Sequence, residues 1–320
     1  MSTVAYVFPG QGSQSVGMGN ALAAASPAAR AVFVAADAAL DEPISRLAWD
    51  GPAEVLDRTE NAQPALLAAS IAYHAALAER GGVTEAAGAP AFYAGHSMGQ
   101  YSAMVAAGVL ALGDAVRLVR LRGRLMQASG AGREGRMAAI IGLDDARLPE
   151  LVAAAGAHGI FGVANRNSPG QVVVSGERPA VEAAMTIARE LGAKRAIELP
   201  VSVAAHSQLM AEAAEGMRAA LAGVAFDDPT APLLANRDGR PITTGEAARA
   251  ELVEHLTAGV DWVRAVEIMA AAGVTRFVEI GPGRVLTGLI KRIVPEAEAI
   301  ATDSPSAPDG LAVPGADIPA

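Results

Sequence analysis

The chain has 320 residues, no cysteine, 52% hydrophobic residues and a formal net charge of −9. That length suits one large domain, or a large domain carrying a smaller insertion. The missing cysteine excludes disulfides, thiolate metal sites and cysteine nucleophiles, and the acidic balance excludes a general nucleic-acid binder, which needs a basic face.

The N-terminus runs directly into a strand-like Val4-Ala5-Tyr6-Val7-Phe8, with no basic region ahead of an apolar one. No signal peptide is therefore expected, and the protein reads as cytoplasmic. The strand ends in the loop Pro9-Gly10-Gln11-Gly12-Ser13-Gln14, and Gln63–Leu77 reads as a buried helix. The longest uncharged stretch, 86–113, contains His96, Ser97, Gln100 and several glycines, so no membrane span is expected. Within it, Ala91–Ala94 is a core strand followed at once by Gly95-His96-Ser97-Met98-Gly99 and a helix. Asp114 is placed as the N-cap of a helix running to about Ala128. Short apolar runs alternating with longer helical segments give an α/β class.

The rhythm changes after Gly130. Arg136–Leu143 reads as a strand, Asp144–Ala155 as a helix, and Ile160–Asn165 and Gln171–Ser175 as strands. Arg178–Leu191 is a helix and Arg195–Leu199 a last strand. This β-α-β-β-α-β order is that of a ferredoxin-like unit. The expectation is a ferredoxin-like subdomain over residues 130–199, inserted into a body made of 1–129 and 200–300. The body resumes near Leu233, Glu246–Leu256 and Thr275–Ile280. Residues 301–320, rich in Pro, Ser, Gly and Asp from about Thr302 and with no basic residue, are expected to form a disordered tail.

Gly95-His96-Ser97-Met98-Gly99 between strand and helix has the form of a nucleophile elbow. Such a turn needs small residues two before and two after the serine, because side chains there would meet neighbouring backbone. The serine needs a base. Of the histidines, His74 reads as packed in an alanine-rich helix, His158 as exposed in a turn, and His96 as a wall of the site. His206, in Pro200-Val201-Ser202-Val203-Ala204-Ala205-His206-Ser207 between a strand and a helix, is the first choice for the base. On a helical wheel Arg117, Arg120 and Arg124 fall within about 60° and read as a solvated basic face. Arg122 points the other way, into an apolar stripe, and so needs an anionic partner: a protein carboxylate, or the carboxylate of a substrate. No spacing of histidines and carboxylates supports a metal site, and Gly10-Gln11-Gly12 lacks the rest of a dinucleotide fingerprint.

These segments, with Arg122-Gly123-Arg124-Leu125-Met126, Asn165-Arg166-Asn167-Ser168-Pro169-Gly170-Gln171 and Glu279-Ile280-Gly281-Pro282-Gly283, occur in the order and spacing of a known family. From residue 3 to about 295 the chain resembles malonyl-CoA:acyl carrier protein transacylases, including the free-standing acyltransferases of polyketide synthesis. The resemblance implies an α/β-hydrolase-like large domain with a ferredoxin-like small one. It implies that Ser97 takes a malonyl group from coenzyme A and passes it to the phosphopantetheine thiol of an acyl carrier protein, with His206 as base. The backbone amides of Gln11 and Met98 would form the oxyanion hole, and Arg122 would hold the malonyl carboxylate. His96, Met126, Val203 and Ala205 would line the pocket, with Asn165, Asn167 and His255 in supporting positions. Ala205 falls where polyketide acyltransferases carry a size gauge, phenylalanine going with malonyl and serine with methylmalonyl. No cofactor is implied, coenzyme A thioester being a substrate.

Two positions depart from the family pattern. Gln100 stands where a glutamate is usual, and His255 where a glutamine is usual. The resemblance assigns position 255 a role in orienting the base through its main-chain carbonyl. The alternatives are a trans-acting polyketide acyltransferase using a larger extender unit, a serine thioesterase or hydrolase, and a catalytically silent docking partner.

Overall fold

The structure, a computed structural model, describes residues 3–80, 89–129, 134–201 and 203–303. The larger of its two sheets has the order β11-β10-β1-β2-β7-β8. Its strands are β1 (Thr3–Phe8), β2 (Phe92–Gly95), β7 (Leu233–Leu234), β8 (Pro241–Ile242), β10 (Val274–Glu279) and β11 (Glu298–Ala301). All neighbours are parallel except β7 and β8. A parallel sheet is covered on both faces, which is why β1 is apolar throughout rather than alternating. Val4, Tyr6 and Phe8 pack with the helices Pro27–Leu40, Thr59–Glu79 and Leu112–Ser129. Ala5 and Val7 pack on the other face with Trp262, Val266, Leu289 and Ile290.

The second sheet has the order β6-β3-β5-β4-β9. It contains β3 (Gly135–Ile141), β4 (Phe161–Ser168), β5 (Gln171–Glu177) and β6 (Arg195–Glu198), all antiparallel, with the helices Leu148–Gly156 and Arg178–Glu190 on one face. To its edge the chain adds β9 (Val260–Asp261), pairing parallel with β4 from far along the sequence. Arg166 secures this junction by bonding Asp261 and Asp145, each at 2.9 Å. The opposite face carries Met137, Ala164 and Val173 and turns toward the larger unit. No helix among the described residues is long and apolar enough to cross a membrane.

Several local expectations need correction. The helix holding Arg122 begins at Leu112, so Asp114 lies in its first turn and pairs with Arg117 at 2.6 Å rather than capping. Arg120 is not solvated. Its guanidinium is buried against the Glu60 carbonyl at 2.9 Å and Glu42 at 2.7 Å. The sequence explains this: Pro64 has no N–H, so the Glu60 carbonyl lacks its helical partner and Arg120 takes it. Residues 145–147 form a 3₁₀ turn capped by Asp144, and the α-helix starts only at Leu148. Ala301 closes β11, while Thr302 is buried and donates from its amide to Glu279 at 2.9 Å. The proposed tail therefore does not start there; 304–320 lie outside the described residues.

Candidate active site

A cavity of about 520 Å³ opens where β1 and β2 end, against the Met137–Val173 face of the smaller sheet. In open parallel sheets the carboxyl ends of the strands are where ligands bind. Gly10, Gln11, His96, Ser97, Met98, Arg122, Met126, Asn165, Asn167, Val203, Ala205 and His206 all reach it. Thus nearly all the residues singled out from the sequence converge on one space; His255 lies just behind it.

The elbow is forced by contact. A Cβ on Gly95 would sit 2.1 Å from the Gly99 carbonyl, and one on Gly99 would sit 2.3 Å from the Phe8 carbonyl oxygen. Between them Ser97 holds φ 53°, a left-handed conformation that only a supported site retains in a residue with a side chain. The support is Asn236, at the end of β7. Its Oδ1 accepts from the Ser97 amide at 2.8 Å and its Nδ2 donates to the Gly95 carbonyl at 2.9 Å. The Asn236 amide in turn donates to buried Glu251 at 2.6 Å. Gln100 fixes the same turn from below, accepting from Gly95 N at 3.0 Å and donating to the Leu234 carbonyl at 3.0 Å.

Ser97 Oγ lies 2.8 Å from His206 Nε2. The other ring nitrogen of His206 faces the main-chain carbonyls of His255 at 2.7 Å and Ala258 at 3.1 Å. Carbonyls only accept, so Nδ1 carries the proton and Nε2 is left to take one from Ser97. Burial first, then the charge of Arg122, push the His206 pKa down to about 3, so the ring is a neutral base at rest. His96 Nε2 bonds Asn167 Oδ1 at 2.9 Å, and both residues line the cavity.

Arg122 is 1% exposed, and no carboxylate pairs with it among the described residues. Its Nη1 donates to Gln63 Oε1 at 2.8 Å, and its Nη2 lies 3.3 Å from both Ser97 Oγ and His255 Nε2. Its Nε is buried without an acceptor. The approach of the two helices is set by Gly123, whose Cβ would lie 2.5 Å from Glu60 Cα. A buried guanidinium with unspent donors beside a nucleophile is arranged to receive an anion. No group of three or more His, Asp or Glu that could hold a metal ion occurs among the described residues.

Gln63, Asn236 and Glu251 escaped the sequence reading. The available signal is a polar residue within a buried apolar helix, as Gln63 is in Thr59–Glu79, or one just past a parallel strand, as Asn236 is.

Residues 5–306 match the acyl transferase domain family. The chain is 47% identical over 307 residues to the malonyl CoA-acyl carrier protein transacylase of Escherichia coli strain K12, across 96% of this chain and 98% of that one. Its fold matches the crystal structure of an acyl carrier protein S-malonyltransferase from Vibrio cholerae with a TM-score of 0.90, at 43% identity over 94% of this chain and 96% of the other. A malonyl-transacylase solved in complex with a type II polyketide acyl-carrier protein matches with a TM-score of 0.88, at 44% identity over 94% and 95% of the two chains. Sharing both sequence and fold with these proteins over nearly its whole length, the chain belongs to the malonyl CoA-acyl carrier protein transacylase family.

Proposed function

We propose that this protein transfers a malonyl group from coenzyme A to the phosphopantetheine thiol of an acyl carrier protein through an ester on Ser97. The observation that carries the reading is Arg122: a buried cation without a protein carboxylate, 3.3 Å from the nucleophile. A hydrolase acting on neutral acyl groups has no use for it. A carboxylate one methylene away from a thioester carbonyl can meet Arg122 while that carbonyl meets Ser97. The unpartnered Nε and the neighbouring Nη2 suit a bidentate grip.

In the first half-reaction His206 Nε2 takes the Ser97 proton as Oγ attacks the thioester carbonyl. The backbone amides of Gln11 and Met98, both on the cavity wall, are assigned to the oxyanion. The C–S bond then breaks and the coenzyme A sulfur leaves with the proton from His206. In the second half the carrier thiol gives its proton to His206 and attacks the seryl ester, and Ser97 recovers its proton. No cofactor is required, coenzyme A entering as a substrate, and these substrates go with a cytoplasmic enzyme. The loaded carrier is a building unit for fatty acid or polyketide synthesis.

Intact mass after incubation with malonyl-CoA, then with carrier protein, tests the reading. A malonyl adduct that moves to the carrier is expected. Release of free malonate without an adduct would mark a hydrolase, and no reaction a silent partner. A stable adduct only from larger acyl donors would mark an acyltransferase of another extender unit.

A further inference from the structure

His255 supplies more than its carbonyl. Its imidazole is buried, with Nδ1 3.0 Å from the Glu251 carbonyl and Nε2 3.3 Å from Arg122 Nη2. A carbonyl can only accept and a guanidinium can only donate. Both contacts are therefore hydrogen bonds only if Nδ1 carries the proton and Nε2 is bare. We propose that the His255 side chain is a positioning residue that holds the Arg122 guanidinium in its carboxylate-receiving orientation, and so contributes to the preference for acyl groups that end in a carboxylate.

The geometry is that of a clamp on both ends of the fork. Gln63 Oε1 accepts from Nη1 at 2.8 Å and His255 Nε2 from Nη2 at 3.3 Å, while Nε has no acceptor. Arginine carries considerable rotamer freedom, and fixing its plane before the substrate arrives lowers the ordering cost of binding. Both acceptors are neutral, so neither competes with an incoming anion for the cation's charge. Burial and the facing Arg122 charge, with His206 beyond it, keep the His255 pKa well below the usual histidine value, which preserves that neutrality. A glutamine at 255 could offer a neutral acceptor to the same nitrogen, whereas an aliphatic residue could not.

This inference rests on the malonyl-transfer reading, and the experiment separates the two. kcat/KM is measured for malonyl-CoA and acetyl-CoA on wild type, His255→Gln, His255→Ala and His255→Leu, with adducts on Ser97 followed by intact mass. The malonyl-to-acetyl ratio should fall at least about tenfold in the Ala and Leu variants, the scale of losing one buried hydrogen bond to a charged group. It should be kept in the Gln variant. Equal losses for both donors would overturn the inference, because they would mean that His255 acts through packing or through the base. An unchanged ratio in all three variants, or a Gln variant as unselective as Ala, would overturn it as well. Nitrogen-15 NMR of the wild type gives a check independent of folding in the variants. The ring should be neutral with the proton on Nδ1 at pH 7, and the opposite tautomer would refute the clamp. A wild type that loads acetyl as readily as malonyl would overturn the parent reading together with this one.

Discussion

Ser97 and His206, whose Oγ and Nε2 lie 2.8 Å apart on the cavity wall, both hold left-handed backbone, with φ of 53° and 58°. Among the described non-glycine residues only Asp41 shares that region. Each such residue costs on the order of 1–3 kcal/mol and persists only where its surroundings over-determine it. For Ser97 the determinants are Asn236 and the glycines of the elbow. For His206 they are the carbonyls of His255 and Ala258 on its ring, with Ser207 Oγ donating to the Ala204 carbonyl at 2.7 Å beside it. Two strained residues thus meet at the place where the proposed mechanism needs attack and proton transfer to coincide.

Ser97→Ala should abolish the acyl adduct and reduce transfer by several orders of magnitude, the scale seen when serine enzymes lose their nucleophile. No cysteine is present to replace it. Ser97→Gly should be equally inactive but at least as stable as Ser97→Ala in thermal unfolding, since glycine takes positive φ without a Cβ penalty. A malonyl adduct of normal yield on either variant would sink the assignment of the nucleophile.

Arg122→Ala should lose malonyl transfer far more than acetyl transfer. Removing one partner of a buried charged pair costs about 2–5 kcal/mol, so the donor preference should shift by well over tenfold. Parallel kinetics with malonyl-CoA and acetyl-CoA decide it. Equal losses would make Arg122 a structural residue.

Asn236→Ala should lower both stability and turnover. It leaves the Ser97 amide and the Gly95 carbonyl without their side-chain partner, and each unsatisfied buried group costs about 1–3 kcal/mol. Turnover should fall more than KM rises, since the elbow rather than the acyl pocket is disturbed. Full kcat in a variant of unchanged melting temperature would refute this role.

The parts of the site that were legible in the sequence are those whose chemistry is local. The elbow betrays itself because glycines at 95 and 99 are demanded by backbone contacts within a few residues or with the adjoining strand. Arg122 stands out because a charge in an apolar helical stripe needs an anionic partner, whether a protein carboxylate or a substrate. Arg120 misled because its neighbours are not on its own helix: the Glu60 carbonyl freed by Pro64 and the Glu42 carboxylate come from other segments. Asn236 and Glu251 were silent for the same reason, their partners being brought in by the pairing of β2 with β7 and by the helix Gly245–Thr257. The edge strand β9 was equally hidden, because two residues carry no periodicity.

The pH dependence of the reaction follows from the base. His206 is depressed by burial and by Arg122, so its neutral, proton-accepting form survives as the pH falls below 6.5. The plot of kcat/KM for malonyl-CoA, which reports the free enzyme, should therefore stay flat from pH 8 down to about 5. Once a malonyl carboxylate offsets the Arg122 charge, one of the depressing causes is removed and the base becomes easier to protonate. The acid limb of kcat should then lie at higher pH than that of kcat/KM. A limb in kcat/KM centred near 6.5 would contradict a buried, cation-facing base.

Acyl selectivity should turn on Ala205, which lines the cavity immediately before the base. Buried Val203 is also on the cavity wall; in the proposed reading the small side chain of Ala205 leaves space beside the acyl α-carbon, and Val203 fills part of it. If Arg122 holds the carboxylate as proposed, it is indifferent to a branch at the α-carbon, and discrimination against methylmalonyl then depends on volume. One methyl group in an apolar pocket is worth about 1–3 kcal/mol, which corresponds to roughly ten- to two-hundred-fold. Malonyl should therefore be preferred over methylmalonyl by no more than that range in the wild type. Ala205→Phe should widen the gap by occupying the space beside the α-carbon, and it should do so through methylmalonyl loss rather than malonyl gain. Competition between the two coenzyme A thioesters, read as the mass of the Ser97 adduct, measures both proteins directly. A wild type that favours methylmalonyl or a larger unit would overturn the malonyl preference while leaving the seryl-ester chemistry intact. An Ala205→Phe variant with an unchanged ratio would show that the α-substituent points away from residue 205.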